Sequence, residues 1–387
     1  MSLNNSSYTA KIIKLRIENF LSLKKIEVEL NKLNVFVGPN TSGKSNFVRA
    51  LQLLANHVRN GVPSLHGYKS FKDLAYNFDE TASIILEVKT KINNHNILYI
   101  LTITVNNYIE QAWIDNKVAL RSEGKKKVAQ ILTRDGVMKD IGIHTSASSN
   151  ILGVTLFKSI FTNLPTDAVS ELYDLAHLLR SITVHSFVPE RIRAYSEITA
   201  KPSLGYYGDN IARVLLHLYL ENRKVFTDIE DVMRSLIPEI KEIIPHIEGT
   251  KVEIWLRTRN LTEPLKPANI SDGTLRILAY VTALYSGASL VVFEEPENCI
   301  HPHLLEAIVD LARKAPCQVI MTTHSPYLLD HIKPEEVYVV EKPRTETIVK
   351  KLSKTKELQA VKKLLEEGGT LGEAWYSGII GGVPETT

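Results

Sequence analysis

The segment Gly38-Pro-Asn-Thr-Ser-Gly-Lys-Ser45 constrains this chain more than any other. It has the spacing G-x-x-x-x-G-K-S and follows the apolar run Leu33–Val37. Helical apolar spacing at Phe47, Leu51, Leu54 and Val58 follows it. Strand, glycine loop and helix in that order are the context of a phosphate-binding loop. Gly38 and Gly43 allow backbone angles that a Cβ would forbid, so several N–H groups can turn toward one anion. The positive end of the following helix faces the same anion. Lys44 is placed to reach the β- and γ-phosphates of a nucleoside triphosphate, and the Ser45 hydroxyl to ligate Mg²⁺. Pro39, Asn40, Thr41 and Ser42 complete the candidate nucleotide-binding stretch. An ordinary glycine-rich turn before a helix is the alternative, but it would need neither the Lys nor the Ser.

Composition narrows the class. At 387 residues the chain is long for one core. Its 44% hydrophobic and 23% charged content is ordinary for a globular protein. No run of about 18 apolar residues is present, so no membrane-spanning helix is expected. The start, Met-Ser-Leu-Asn-Asn-Ser-Ser, lacks the apolar core of a secretion signal. Cys299 and Cys317 are too few for a disulfide framework, so a cytoplasmic location is expected. Net charge is only +3, with basic clusters at Lys125–Lys127 and along Lys350–Lys363. These read first as solvated surface, with DNA phosphates as the alternative.

Before the phosphate loop, Lys11–Ile17 and Lys25–Leu30 read as strands. After it, Ser83–Lys89, Ile97–Val105 and Glu110–Asp115 do the same, with turn signals at Asn93-Asn94 and Asn106-Asn107. These predict an antiparallel sheet beside the nucleotide site. Residues 120–150 read as turns with short strands, and 166–181 and 209–244 as helical. Ile182–Val188 is a strand candidate, with the basic pair Arg191 and Arg193 behind it. From Lys251 the pattern alternates: Lys251–Leu256, Leu275–Ser286, Leu290–Phe293, His303–Ala312, Gln318–Thr322 and Val337–Glu341. Strand–helix alternation predicts a parallel sheet with crossover helices. There is no internal repeat, low-complexity segment or long coiled coil.

Leu290-Val-Val-Phe-Glu294-Glu295-Pro-Glu297 reads as a buried strand ending in acids. Such a strand delivers its carboxylates to the sheet edge where a phosphate-loop ligand sits. Glu294 is the candidate Mg²⁺ ligand and Glu295 the group that polarises water. An acidic helix cap is the alternative. Gln318–Thr323 ends the same way, and His324 then falls on the same edge. Ser271-Asp272-Gly273-Thr274 precedes a helix, either as a plain N-cap or as a second anion site.

In chain order, Gly38–Ser45, Ser271–Thr274, Phe293–Glu297 with Ile300-His-Pro302, and Thr323-His-Ser-Pro326 resemble the ABC-type ATPase heads of the RecF, SMC and OLD group. They look most like the stand-alone bacterial AAA family ATPases of that group, often found in anti-phage defence. The likeness extends to Phe187–Arg191 and Trp375–Pro384. It implies an α/β P-loop NTPase fold: an ABC-type ATPase head with an antiparallel β lobe and a helical insertion. It implies ATP and Mg²⁺ as cofactors. Gly38–Ser45 becomes Walker A, Glu294 and Glu295 become Walker B, and Glu295 the general base. Ser271, Asp272 and Gly273 become part of the signature that meets ATP held by an opposing subunit. Asn298–Pro302 becomes the D-loop, and His324 the switch histidine. A homodimer, or higher oligomer, would sandwich two ATP molecules. Its output would pass to DNA or to an effector such as a nuclease encoded nearby, in defence or repair. The alternative is a nucleotide-gated scaffold that holds a toxin or nuclease with incidental turnover.

The sequence departs from the wider pattern in three places. Glu294 stands where Asp is usual, the signature lacks the second Gly and the Gln of LSGGQ, and no Gln marks a Q-loop. Phe71–Leu74 is a candidate for that loop, and slow hydrolysis fits these changes. Roughly 45 residues follow Glu341, short of a domain, so no nuclease in cis is expected. Expected boundaries are 1–118 for the N-terminal ATPase lobe, 119–250 for the insertion, 251–345 for the C-terminal ATPase lobe and 346–387 for a tail.

Overall fold

The computed structural model describes residues 10–126, 128–142, 159–162, 164–199 and 202–381. Lys127, residues 143–150 of the turn-rich stretch and residues 382–384 of the tail likeness lie outside them.

A six-stranded sheet carries the phosphate loop. Its order is Ile182–His185, Leu290–Glu294, Gln318–Thr323, Leu33–Val37, Val337–Glu341, Ile348–Lys351. The first five strands are parallel and the last is antiparallel. Alternation decides which side each residue packs on. Leu33, Val35, Val37, Val291, Phe293, Val319 and Met321 pack with helices Asp272–Tyr285 and Leu305–Lys314. Phe36, Leu290, Val292 and Ile320 pack on the other side with helix Lys44–Asn60 and the antiparallel sheet. Both faces are covered, so the four central strands are buried along almost their whole length.

The antiparallel sheet has eight strands, in the order Leu23–Glu29, Ala10–Phe20, Ile84–Ile92, His95–Thr104, Asn107–Ile114, Lys117–Glu123, Val128–Leu132, Met138–Gly142. Asn93, Asp115 and Asn116 take positive φ at its tight turns, as short hairpins require. Two polar clusters tie this sheet to the rest. Gln318 accepts from Ile12 N at 2.7 Å and donates to the Ile12 and Asn31 carbonyls at 2.9 and 3.1 Å. It thereby satisfies backbone groups beside the register shift between Ile12 and Lys14. His57, on the phosphate-loop helix, lies 2.9 Å from Glu110, and both are fully buried. Burial pushes Glu110 up, but His57 and the hydrogen bonds from Ser159 and Tyr99 outweigh it and hold the carboxyl below its ordinary value.

Several readings from pattern change. The polar stretch after residue 118 holds three further strands, so the sheet crosses the expected 118/119 boundary and runs to Gly142. Ile182–His185, within the expected 119–250 insertion, is an edge strand of the parallel sheet, with Ile182 opposite Leu290. Lys251–Thr258 is not in that sheet. It pairs antiparallel with Ile240–Glu248, which ends the helical reading of 209–244 at Leu236. Ile240, Ile243 and Ile244 mimic helical spacing, but Pro245 and the positive φ of Gly249 suit a hairpin. The C-terminal stretch adds strand Ile348–Lys351 and helices Leu358–Glu366 and Leu371–Tyr376.

Candidate nucleotide site

The loop geometry follows from its two glycines. A Cβ on Gly38 would lie 2.2 Å from the Val340 carbonyl of the neighbouring strand. Gly43 has φ +104°, and a Cβ there would lie 2.0 Å from Thr347 Oγ1. Gly43 is also the N-cap of helix Lys44–Asn60, so the N–H groups of Lys44 and Ser45 at the helix start have no carbonyl one turn back to bond. Lys44 is buried, and its Nζ donates to the Gly38 and Pro39 carbonyls at 2.7 and 3.0 Å. Burial pulls its pKa down, while Glu295, Glu297 and Glu294 oppose that. The ammonium thus already sits in the field of the acids.

A cavity of ≈ 350 Å³ brings Asn40–Ser45 together with Glu294 and Glu295. The ends of strands Leu33–Val37 and Leu290–Glu294 reach one sheet edge because Gln318–Thr323 lies between them in register, Glu294 opposite Thr322 and Val37 opposite Thr323. Glu295 turns out of its strand with φ 49°, and its N–H donates to the Thr322 carbonyl at 2.9 Å. Such a backbone costs about 1–3 kcal/mol and aims the side chain off the strand line. Glu295 Oε1 is 3.2 Å from His324 Nδ1, and Oε2 accepts from Asn298 Nδ2 at 2.9 Å. Ser45 and Glu294 offer hard oxygen donors to a divalent cation. The narrow glycine cradle, the buried ammonium and these oxygens fit a magnesium-bound triphosphate.

Ser271, Asp272 and Gly273 are not part of this cavity. Ser271 caps helix Asp272–Tyr285 by accepting from Thr274 N. Asp272 pairs with Arg193 at 2.5 Å, and Arg193 also donates to the Pro267 and Ile270 carbonyls. A Cβ on Gly273 would stand 3.1 Å from the Cys299 carbonyl, so the signature abuts the Asn298–Pro302 segment rather than the phosphate loop. Phe71–Leu74 is a short capped helix with Leu74 bonded to Leu21, away from the cavity lining.

Sequence reading missed several neighbours. Tyr206 donates to Glu294 Oε2 at 2.5 Å, and burial with the Glu294 charge raises its pKa. Arg49, Asn46, Ser186 and Thr322 also line the cavity. Glu297 accepts from Thr323 Oγ1 at 2.6 Å, and burial raises its pKa. Thr347 donates to the Ser42 carbonyl at 2.9 Å and lies 2.7 Å from Ser22 Oγ, which accepts from Asn46. No motif spacing marks Tyr206 or Thr347, because each arrives from a distant segment.

Known proteins resemble this chain in sequence and in fold. A family model described as "AAA ATPase domain" matches residues 11–178. Another, "AAA domain, putative AbiEii toxin, Type IV TA system", matches residues 145–330. The chain is 24% identical over 364 residues to an OLD nuclease of Thermus scotoductus, covering 87% of this chain and 63% of that protein. The chain thus spans less than two thirds of that relative. Among solved structures, an SMC head bound to the C-winged helix domain of ScpA matches with a TM-score of 0.55 at 14% identity, over 90% of this chain and 99% of that one. An SMC head from Pyrococcus furiosus, with an extended coiled coil and bound to the C-terminal domain of ScpA, matches with a TM-score of 0.53 at 13% identity, over 93% and 99%. The two family models overlap over residues 145–178, one holding the phosphate loop and the other Glu294, Glu295, Ser271–Thr274 and His324. With that arrangement and the OLD likeness, the chain resembles the ABC-type ATPase heads of the RecF/SMC/OLD group, and its fold is that of the SMC heads.

Proposed function

We propose that this protein binds and hydrolyses ATP, and that a head-to-tail homodimer completes each site. The observation that carries this reading is the single cavity that unites Lys44 and Ser45 with Glu294 and Glu295, with His324 3.2 Å from Glu295. Gly38–Ser45 would hold the phosphates through backbone N–H groups and Lys44, and Ser45 with Glu294 would hold Mg²⁺. When bound, Mg²⁺ neutralises phosphate charge. Glu295 orients a water and accepts its proton. Asn298 and His324 hold the Glu295 carboxylate in place.

The displaced signature supports the dimer. Ser271 caps an exposed helix N-terminus outside the cavity, where it can meet phosphate bound to a second copy. The OLD nuclease relative supports coupling to a nuclease; DNA as the output, in defence or repair, is what the motif resemblance implies. The SMC heads bound to ScpA support a partner protein on the head. Mixing two inactive homodimers tests the composite site. Lys44→Ala and Ser271→Arg should each abolish phosphate release, and their mixture should recover about a quarter of wild-type turnover, from heterodimers with one intact site. No recovery on mixing, with subunit exchange verified, would remove the trans site.

A further inference from the structure

We propose that the groove at the edge of the parallel sheet opposite the phosphate loop binds the phosphodiester backbone of double-stranded nucleic acid. The groove encloses ≈ 950 Å³, against ≈ 350 Å³ for the nucleotide cavity. Its floor is made where the chain enters the three central strands. Lys32 precedes Leu33–Val37, Ser289 precedes Leu290–Glu294, and Cys317 precedes Gln318–Thr323. Its rim comes from the antiparallel sheet and helix Ser170–Arg180.

Charge carries the inference. Lys11, Lys32, Lys91 and His177 line the groove, and no carboxylate does. Lys11 and Lys91 stand directly opposite one another on neighbouring strands, an arrangement that repels. Elsewhere on the same strands cations are matched: Lys14 pairs with Glu27 at 2.5 Å, and Arg16 with Glu18 and Glu87 at 2.6 and 3.4 Å. Among the described residues neither Lys11 nor Lys91 has such a partner. Lys32 donates only to the Ala315 carbonyl. Asp174, which acts on His177 from one turn away, lies outside the lining. The nine residues before Ala10 contain no Asp or Glu.

The remaining lining selects the anion. Asn31, Asn93, Asn94 and Ser289 stand among the cations. Amides, hydroxyls and lysines are the groups that contact phosphate and sugar. No Phe, Tyr or Trp lines the groove, so a run of unpaired bases lacks a row of stacking platforms. A duplex backbone, read without regard to sequence, is the occupant that fits. This assignment does not rest on the ATPase reading, because the groove and the nucleotide site occupy opposite edges.

The test is binding of a short fluorescein-labelled DNA duplex to the full chain, without nucleotide, by anisotropy across a KCl series. The Lys11→Gln/Lys91→Gln double variant should bind at least about tenfold more weakly, and its log–log salt slope should shrink by about 2, near 0.9 per lost phosphate contact. Lys125→Gln/Lys126→Gln, from the basic cluster outside the groove, and Lys44→Ala should bind within twofold of wild type. Inorganic polyphosphate should displace the duplex and polyglutamate should not. Thermal melts should show both double variants folded, since the groove pair removes a repulsion. Absence of duplex binding by the wild-type chain would overturn the proposal. So would an unchanged affinity and slope in the groove variant, or an equal loss in the Lys125/Lys126 control. Displacement by polyglutamate as effective as by polyphosphate would assign the groove to an acidic protein segment and overturn it too.

Discussion

His324 Nδ1 stands 3.2 Å from Glu295 Oε1, across adjacent strand ends of the parallel sheet. The pair makes Glu295 the group whose loss should separate binding from chemistry. Glu295→Gln keeps the Asn298 contact and the side-chain volume but cannot accept a proton. Turnover should fall by about 10²–10⁴-fold, the range for a lost general base, while ATP affinity stays within a few-fold. Phosphate release and nucleotide titration on one preparation read both quantities.

Lys44 should matter only when nucleotide is present. In the free chain it bonds its own loop carbonyls, so the Lys44→Ala chain should melt within a few degrees of wild type. At ATP 100-fold above Kd with Mg²⁺, the wild type should gain about 2.7 kcal/mol and melt higher, whereas Lys44→Ala should gain nothing. Differential scanning fluorimetry with and without Mg-ATP separates the two.

Gly43 and Thr347 compete for one space. Gly43→Ala places a Cβ 2.0 Å from Thr347 Oγ1 and forces φ +104° on a residue that disfavours it. Urea unfolding should show a loss of about 1–3 kcal/mol from the backbone conformation alone. Adding Thr347→Gly should relieve the collision but leave that backbone term. Full rescue by the second change would mean the strain is purely steric.

His185 makes stability depend on pH. It is buried, stacks on Phe187, and lies 3.1 Å from the Gly205 carbonyl through Nδ1. Burial lowers its pKa from 6.5 to about 4. Between those values the unfolded chain binds the proton and the folded chain does not, so stability is held above pH 6.5 and lost as pH falls toward 4. The loss is about 3 kcal/mol over that window. His185→Phe should flatten that part of the urea-unfolding profile between pH 7 and 4.5, whatever it does to absolute stability.

Much of the nucleotide site was legible because its parts are local. A phosphate loop is one contiguous turn, and an apolar strand ending in carboxylates declares its own sheet edge. Alternation likewise placed the first five strands of the antiparallel sheet. Its later strands were harder to read. Lys117–Gly142 is polar and glycine-punctuated because it forms the exposed end of the sheet, where one-sided burial leaves little apolar signal. The first half of strand Ile240–Glu248, up to residue 244, was read as helix because three isoleucines satisfy either period until a pairing partner is known.

By itself, the order of residues determined the P-loop class, the acids Glu294 and Glu295, and the candidate signature and switch histidine, since each depends on spacing along the chain. Only the tertiary structure decided which of these share a space. It set Glu295 beside His324, left Ser271 outside the cavity, brought Tyr206 to Glu294 and Thr347 under Gly43, and gathered Lys11, Lys32 and Lys91 at the far edge. Each of these relations joins segments far apart in sequence. Strand register and sheet order create them, and no local pattern encodes a contact whose partner arrives from elsewhere.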